Sequence, residues 1–213
     1  MACAICETRR PRRYCPGVRG DICSLCCGEA REVTVECPLD CAYLRESRLH
    51  EKPVVRNPAE FPNRDIQVPE KLLRANEHLL TFLSVTIFHA AMQTPGVIDS
   101  DVLEALDGLI RTYRTLESGV YYESRPNNPL AGAIFAAAQS ALAEYRSSEQ
   151  QELGMTKTRD ADVLGLLVFL QHFALYRDNG RRRGRAFLDA LREFHPPAPE
   201  PSGSSSPSSA ILR

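Results

Sequence analysis

Residues 42–213 contain no cysteine, whereas the first 41 contain eight. That lack divides the chain before any element is assigned. Other absences narrow the function classes. Nowhere is there the run of ~18 to 20 consecutive apolar residues that a membrane span needs, so no membrane association is expected. The N-terminus has no apolar stretch of signal-peptide type and leads straight into Cys3 and Cys6, so a cytoplasmic, reducing location is expected. Neither sign of charge prevails: 26 Lys and Arg stand against 27 Asp and Glu, a formal net charge of -1. No global field therefore steers the molecule toward nucleic acid or an anionic membrane. There is no internal repeat, Ser/His/Asp order, phosphate loop or paired-carboxylate motif. Catalysis has no positive support. An enzyme with a site among the helices stays open as a reading, and it would need a pocket holding perturbed titratable groups.

Composition separates the remaining material into regions. Residues 1–50 hold all the cysteine. Residues 51–69 carry Pro53, Pro58, Pro62 and Pro69 with little periodic apolar content, the pattern of an extended connector. Residues 70–195 are helical by pattern. Residues 196–213, PPAPEPSGSSSPSSAILR, are Pro/Ser-rich without a core-forming run and are expected to be disordered.

The helical region reads as five segments. The first, near 70–93, places Leu72, Leu79, Leu80, Leu83 and Ile87 on one face and stops at Thr94-Pro95-Gly96. The second, near 100–118, begins at an N-cap of Asp99 or Ser100 and presents Leu103, Leu106, Ile110, Tyr113 and Leu116, with Gly119 after it. The third opens at Asn128-Pro129, an N-cap residue followed by proline in the first turn, and carries Ile134, Phe135, Ala138, Leu142 and Tyr145. The fourth, near 160–178, is apolar almost all round from Val163 to Leu175, as befits a helix buried among others. The fifth, near 184–195, carries Phe187, Leu188, Leu191 and Phe194. Strand patterns are absent here. The expected fold is mainly α: a small N-terminal two-zinc module followed by a five-helix bundle of ~125 residues, large enough to fold without metal.

The cysteines run Cys3-x2-Cys6-x8-Cys15-x7-Cys23-x2-Cys26-Cys27-x9-Cys37-x3-Cys41. Four thiolates close a tetrahedral zinc site, and eight make two. In a reducing compartment such a cluster signals metal or redox chemistry rather than disulfides. A thioredoxin-like reading would need one Cys-x-x-Cys in a βαβ context, which is lacking. The pairs Cys3/Cys6 and Cys23/Cys26 suit one ion. Between them, Tyr14-Cys15-Pro16-Gly17 and Gly20-Asp21-Ile22-Cys23 read as two short strands around a turn. Their pairing carries Cys15 toward Cys37 and Cys41, which begin a helix running into Tyr43, Leu44 and Leu49. An interleaved arrangement results: Cys3, Cys6, Cys23 and Cys26 at one structural zinc, and Cys15, Cys27, Cys37 and Cys41 at another. Cys26 and Cys27 are adjacent, so their roles could be exchanged. Sequential pairing of Cys3, Cys6, Cys15 and Cys23 would strand the second Cys-x2-Cys pair.

The run CAIC…RRYCP…ICSLCC resembles HIT-type zinc fingers and, more distantly, MYND fingers. Cys3, Cys6, Cys15, Cys23 and Cys26 match that pattern. The family's Cys-Pro-x-Cys is reduced here to Cys15-Pro16-Gly17-Val18, and its late His-Cys pair becomes Cys37 and Cys41. Cys27 would replace the missing thiolate. The resemblance covers about a fifth of the chain and implies cross-brace zinc binding and a protein-interaction role.

Arg9, Arg10, Arg12, Arg13 and Arg19 flank Cys15 and suggest nucleic-acid contact. Charge argues against it. Residues 1–45 hold seven Arg and six Asp/Glu. Eight thiolates with two Zn²⁺ add -4, so the loaded module stands near -3. The arginines are better read as offsetting zinc–thiolate charge. Arg181, Arg182, Arg183 and Arg185 lie beyond the fourth helix, where they would complement its dipole. His78, His89 and His172 read as packed helical histidines, and His50 as a reserve ligand. The loop from Glu117 to Asn128 reads as helix-turn packing. The expected function is a non-enzymatic zinc-binding adaptor with a protein partner, its bundle engaging that partner or a second copy. The alternative is a regulator touching nucleic acid through the five arginines.

Overall fold

The computed structural model describes residues 2–51 and 54–194. The Pro/Ser-rich stretch 196–213 and Pro53 lie outside the described residues. Among those described, the chain is mainly helical, and no helix is long and apolar enough to cross a membrane.

The cysteine-rich part forms a two-stranded antiparallel hairpin, β1 (Arg13–Cys15) and β2 (Gly20–Ile22), with Arg13 opposite Ile22 and Cys15 opposite Gly20. The short helix α1 (Ser24–Ala30) follows, and then α2 (Ala42–His50), which starts directly after Cys41. The strands and the late helix lie where the residue pattern puts them. The turn of the hairpin presses on the segment before Cys37. A Cβ built on Gly17 would fall 2.3 Å from the Glu36 carbonyl oxygen, so only glycine admits this approach.

The connector is held against the helices. A 3₁₀ turn over Pro58–Glu60 is capped by Asn57. Arg114 then grips Asp65 with two bonds of 2.7 Å and Asn63 with one of 2.9 Å, while Asn63 also donates to Gln171.

Six helices follow: α3 (Glu70–Ala75), α4 (Glu77–Gln93), α5 (Asp99–Glu117), α6 (Pro129–Leu153), α7 (Asp160–Arg177) and α8 (Ala186–Phe194). The single segment expected over 70–93 is broken at Asn76, whose ψ of 29° leaves the helical range and whose amide caps back onto Leu72. The other boundaries fall within a few residues of expectation. Asn128 caps α6 by accepting from the Leu130 N–H.

Direction follows from side-chain contacts. Asn128 at the start of α6 bonds Asp101 at the start of α5, and Arg146 late in α6 lies over the Tyr113 ring late in α5. These helices are therefore parallel. The chain returns between them as an extended segment over 120–127, tied to α5 where the Ser124 N–H donates to Thr112. Gly108 makes room, since a Cβ there would meet the Ser124 carbonyl at 2.7 Å. Phe82 of α4 meets Tyr145 of α6, and α7 packs along α5. The continuous core runs through α4 to α8, with Val163, Leu166, Leu167 and Val168 of α7 fully buried.

Asp99, expected to cap its own helix, instead caps another. Its two carboxylate oxygens accept from the Phe187 and Leu188 N–H groups at 2.8 and 3.1 Å, at the start of α8. Burial pushes its carboxyl up to about 7, against the lowering effect of those N–H groups. Leu39, from the cysteine-rich part, belongs to the helical core.

Candidate metal centre

The Cys3, Cys6, Cys23 and Cys26 sulfurs all lie within 4.8 Å of one another. A tetrahedron with ~2.3 Å Zn–S bonds has edges near 3.8 Å, so a small inward movement of each thiol suffices. Local backbone explains the convergence. The first knuckle is tied to the hairpin by Ala4 N–H to Asp21 O (2.9 Å) and closed on itself by Cys3 N–H to Arg9 O (2.9 Å). Cys23 is the N-cap of α1, so its sulfur faces the helix start and accepts the Cys26 N–H at 3.4 Å. The Cys23 N–H donates to the Cys3 sulfur at 3.2 Å. Such N–H···S bonds favour thiolate over thiol.

Ligand-free, the four thiols divide their protons unevenly. Cys6 is held down at about 5 by the Thr8 hydroxyl and by the Arg9 and Thr8 N–H groups. Cys3 is lowered, chiefly by the Cys6 N–H. Cys26 is pushed up to about 12, first by its contact with Cys23 and then by burial. Four thiols crowded so closely that they cannot all ionise are the setting in which a dication displaces the remaining protons and binds tightly. The donor set fits a soft divalent ion such as zinc, which Cys3, Cys6, Cys23 and Cys26 would hold.

Cys26 and Cys27 separate because neighbouring positions on α1 point ~100° apart. Cys26 turns into the cluster. Cys27 turns into a small cavity of about 20 Å³, which Cys15, Cys37 and Cys41 also line. Among the described residues only Cys3, Cys6, Cys23 and Cys26 bring their sulfurs together in this way; Cys15, Cys27, Cys37 and Cys41 line one cavity without converging so closely. Burial raises the Cys37 thiol, and Cys15 and Cys41 add smaller contributions in the same direction. Arg13 and Arg31 approach the Cys27 sulfur at 3.9 and 3.7 Å, and the Arg13 guanidinium lies 3.9 Å from the centre of the Tyr43 ring.

The five arginines thus divide. Arg9 bonds Cys23 and has its own pKa raised by that contact. Arg13 serves the second cavity. Arg10, Arg12 and Arg19 are exposed. His50 is exposed at the end of α2, His78 is exposed, and His89 is exposed but keeps its ring 6.0 Å from that of Phe88. His172 alone of the helical histidines is tied down, its Nε2 lying 2.7 Å from the Pro62 carbonyl.

Two residues carry weight that no local pattern signals. Arg31 is one, through Cys27. Glu32 is the other: it is 0% exposed, and its carboxylate accepts from Arg48, Asn179 and the Arg185 N–H. Arg181 donates to the Arg31 carbonyl at 2.9 Å, and Arg192 to that of Leu39 at 2.9 Å. The arginines after α7 therefore fasten the cysteine-rich part to the helices, in addition to lying near a helix end.

A groove of about 900 Å³ runs between α2, the start of the connector and α8. Its charged walls are largely self-paired, as in Arg56 with Asp178 and Arg181 with Glu51. No protein-family model, no curated protein and no solved structure matches the chain.

Proposed function

We propose that this is a non-enzymatic, zinc-stapled interaction protein, in which a cross-brace module of two structural zinc ions presents a rigid surface to a protein partner. The observation that carries the reading is the closed set of four sulfurs at the first site, which leaves an ion no position for substrate or water. Support for the second ion comes from the four remaining cysteines, which border one cavity. Large apolar groups on the module stay in solvent, among them Tyr14 at 60% exposure and Leu25 at 47%. Tyrosine is among the residues enriched at the energetic centres of protein interfaces.

The test is recovery of a partner from the native cell by metal-loaded protein, followed by reconstitution from purified components. Tyr14→Ala with Leu25→Ala should weaken the reconstituted complex at least tenfold while zinc content is unchanged. An unaltered affinity would contradict the assigned surface. The exposed Arg10, Arg12 and Arg19 favour a second reading, nucleic-acid contact. Binding to DNA or RNA that falls steeply with salt would replace the first reading with this one.

A further inference from the structure

The four sulfurs of the first centre differ in what can reach them. Cys3, Cys23 and Cys26 are 1%, 4% and 4% exposed, whereas Cys6 is half-buried. A small oxidant in solution therefore meets Cys6 first, and the other three sulfurs lie within 4.8 Å of it. Cys3 is its nearest neighbour along the chain. The Glu7 N–H donates to the Cys3 carbonyl at 2.8 Å, so one turn carries both cysteines. Cys15, Cys27 and Cys41 are half-buried too, but no three sulfurs of that set converge. Little besides the cluster holds the first knuckle in place. The small core around it consists of Cys3, Ile22, Cys23 and Cys26, so apart from Ile22 it is built of the ligands themselves. Two bonds cross from the knuckle to its surroundings: Ala4 N–H to Asp21 O at 2.9 Å, and Cys23 N–H to the Cys3 sulfur at 3.2 Å. The second of these ends on a ligand. Ile5 and Leu25 stand at the same place in the two Cys-x2-Cys pairs, and both are exposed.

We infer that Cys6 and Cys3 are a peroxide-sensitive pair, whose oxidation to a disulfide releases the ion of the first site and detaches the first knuckle, a step that rests on the zinc reading of that site alone. The Cys6 thiolate attacks one oxygen of the peroxide. The O–O bond breaks, a sulfenic acid forms on Cys6 and hydroxide leaves. The Cys3 thiolate then attacks the Cys6 sulfur. The S–S bond forms, the S–O bond breaks and a second hydroxide leaves. Two thiolates have together lost two electrons, the peroxide has gained them, and two protons from solvent convert the hydroxides to water. Cys23 and Cys26 remain as two ligands, half of the four that a structural zinc takes, and the ion is lost. A disulfide within one knuckle adds no link to the hairpin or to α1, so it does not replace the grip of the ion. Residues 3–9 then come away from α1, and Ile5 and Leu25 no longer share a fixed surface. A thiol reductant with zinc reverses the change, because a disulfide is a reversible stage of cysteine oxidation.

The experiment uses the full reduced chain, loaded with zinc and treated with hydrogen peroxide. A chromogenic indicator reads released zinc, alkylation with peptide mass spectrometry maps the disulfides, and hydrogen exchange reads residues 3–9. One equivalent of zinc should leave in step with a Cys3–Cys6 disulfide. Exchange over 3–9 should rise at least tenfold while the middle of α6 keeps its protection, and reductant with zinc should restore both. First oxidation at Cys15, Cys27, Cys37 or Cys41, with Cys3 and Cys6 still reduced, would overturn the inference and leave zinc at the first site standing. A disulfide joining Cys6 to Cys23 or Cys26 would do the same, since it would pin the knuckle instead of freeing it. A Cys3–Cys6 disulfide with unchanged exchange over 3–9 would overturn the detachment. Metal-replete, reduced protein in which Cys3, Cys6, Cys23 and Cys26 are alkylated as fast as in the presence of excess chelator would overturn the zinc reading of the site and the inference together.

Discussion

Glu32 and Arg48 form an ion pair of 2.8 Å in which the carboxylate is wholly buried and the guanidinium side chain is 13% exposed. Arg48 is held on its other side by Asp189 of α8. Burying an ionised pair this far from water is costly unless further hydrogen bonds offset it, and the Arg48 Nε is buried without one. Here Asn179 and the Arg185 N–H complete Glu32. One pair thus joins three parts of the chain that sequence distance keeps apart.

Glu32→Ala should destabilise the folded protein by ~3 to 5 kcal/mol, because it leaves the Arg48 charge buried with half its partners gone. Urea unfolding at neutral pH measures this. A loss below ~1 kcal/mol, the range of an exposed pair, would show that the site is wetter than its burial indicates.

Asp99 gives the protein a pH dependence of unusual sign for a carboxylate. Its folded pKa of about 7 lies above the ordinary value. Its contribution to stability is therefore full below about pH 4 and is lost as pH rises toward 7. Glu32 adds to the upward shift and Arg48 opposes it. Between pH 5.5 and 7, wild type should lose on the order of 2 kcal/mol relative to Asp99→Asn, in which the group no longer titrates. Thiol titration and zinc release act alike in both proteins and cancel in the difference. Parallel pH profiles for the two would contradict this account of Asp99.

Gly108→Ala should cost ~1 to 3 kcal/mol, the penalty for forcing a methyl into a filled space. The obstacle is the Ser124 backbone carbonyl, which cannot rotate away as a side chain would. Thermal melting is the readout. A melting temperature within a degree of wild type would show that the 120–127 return does not lie against α5.

Much of this organisation can be read from the residues, and the unread part has a physical reason. Each cysteine knuckle and hairpin strand is set by neighbours a few residues away, so spacing reveals it. The long helices announce themselves by apolar periodicity and by signals such as Asn128-Pro129. The break at Asn76 gives no such sign, because the apolar stripe continues across it. The parallel course of α5 and α6 depends on the close approach of Ser124 to Gly108, which periodicity does not encode. Asp99 reads as the cap of its own helix, and nothing near it names α8 as its true partner. Leu39 joins a core that the pattern places wholly after residue 70, and Glu32 looks like one more charge in a polar stretch. Both gain their roles from contacts more than a hundred residues away in sequence.

Zinc X-ray absorption on reduced, metal-replete protein tests the zinc-stapled module most directly. The account predicts sulfur-only coordination, four ligands per ion at ~2.3 Å. A first shell containing nitrogen or oxygen would contradict it: it would mean that a cysteine of one foursome stands outside its site and that an open or substituted position exists where a closed one is claimed.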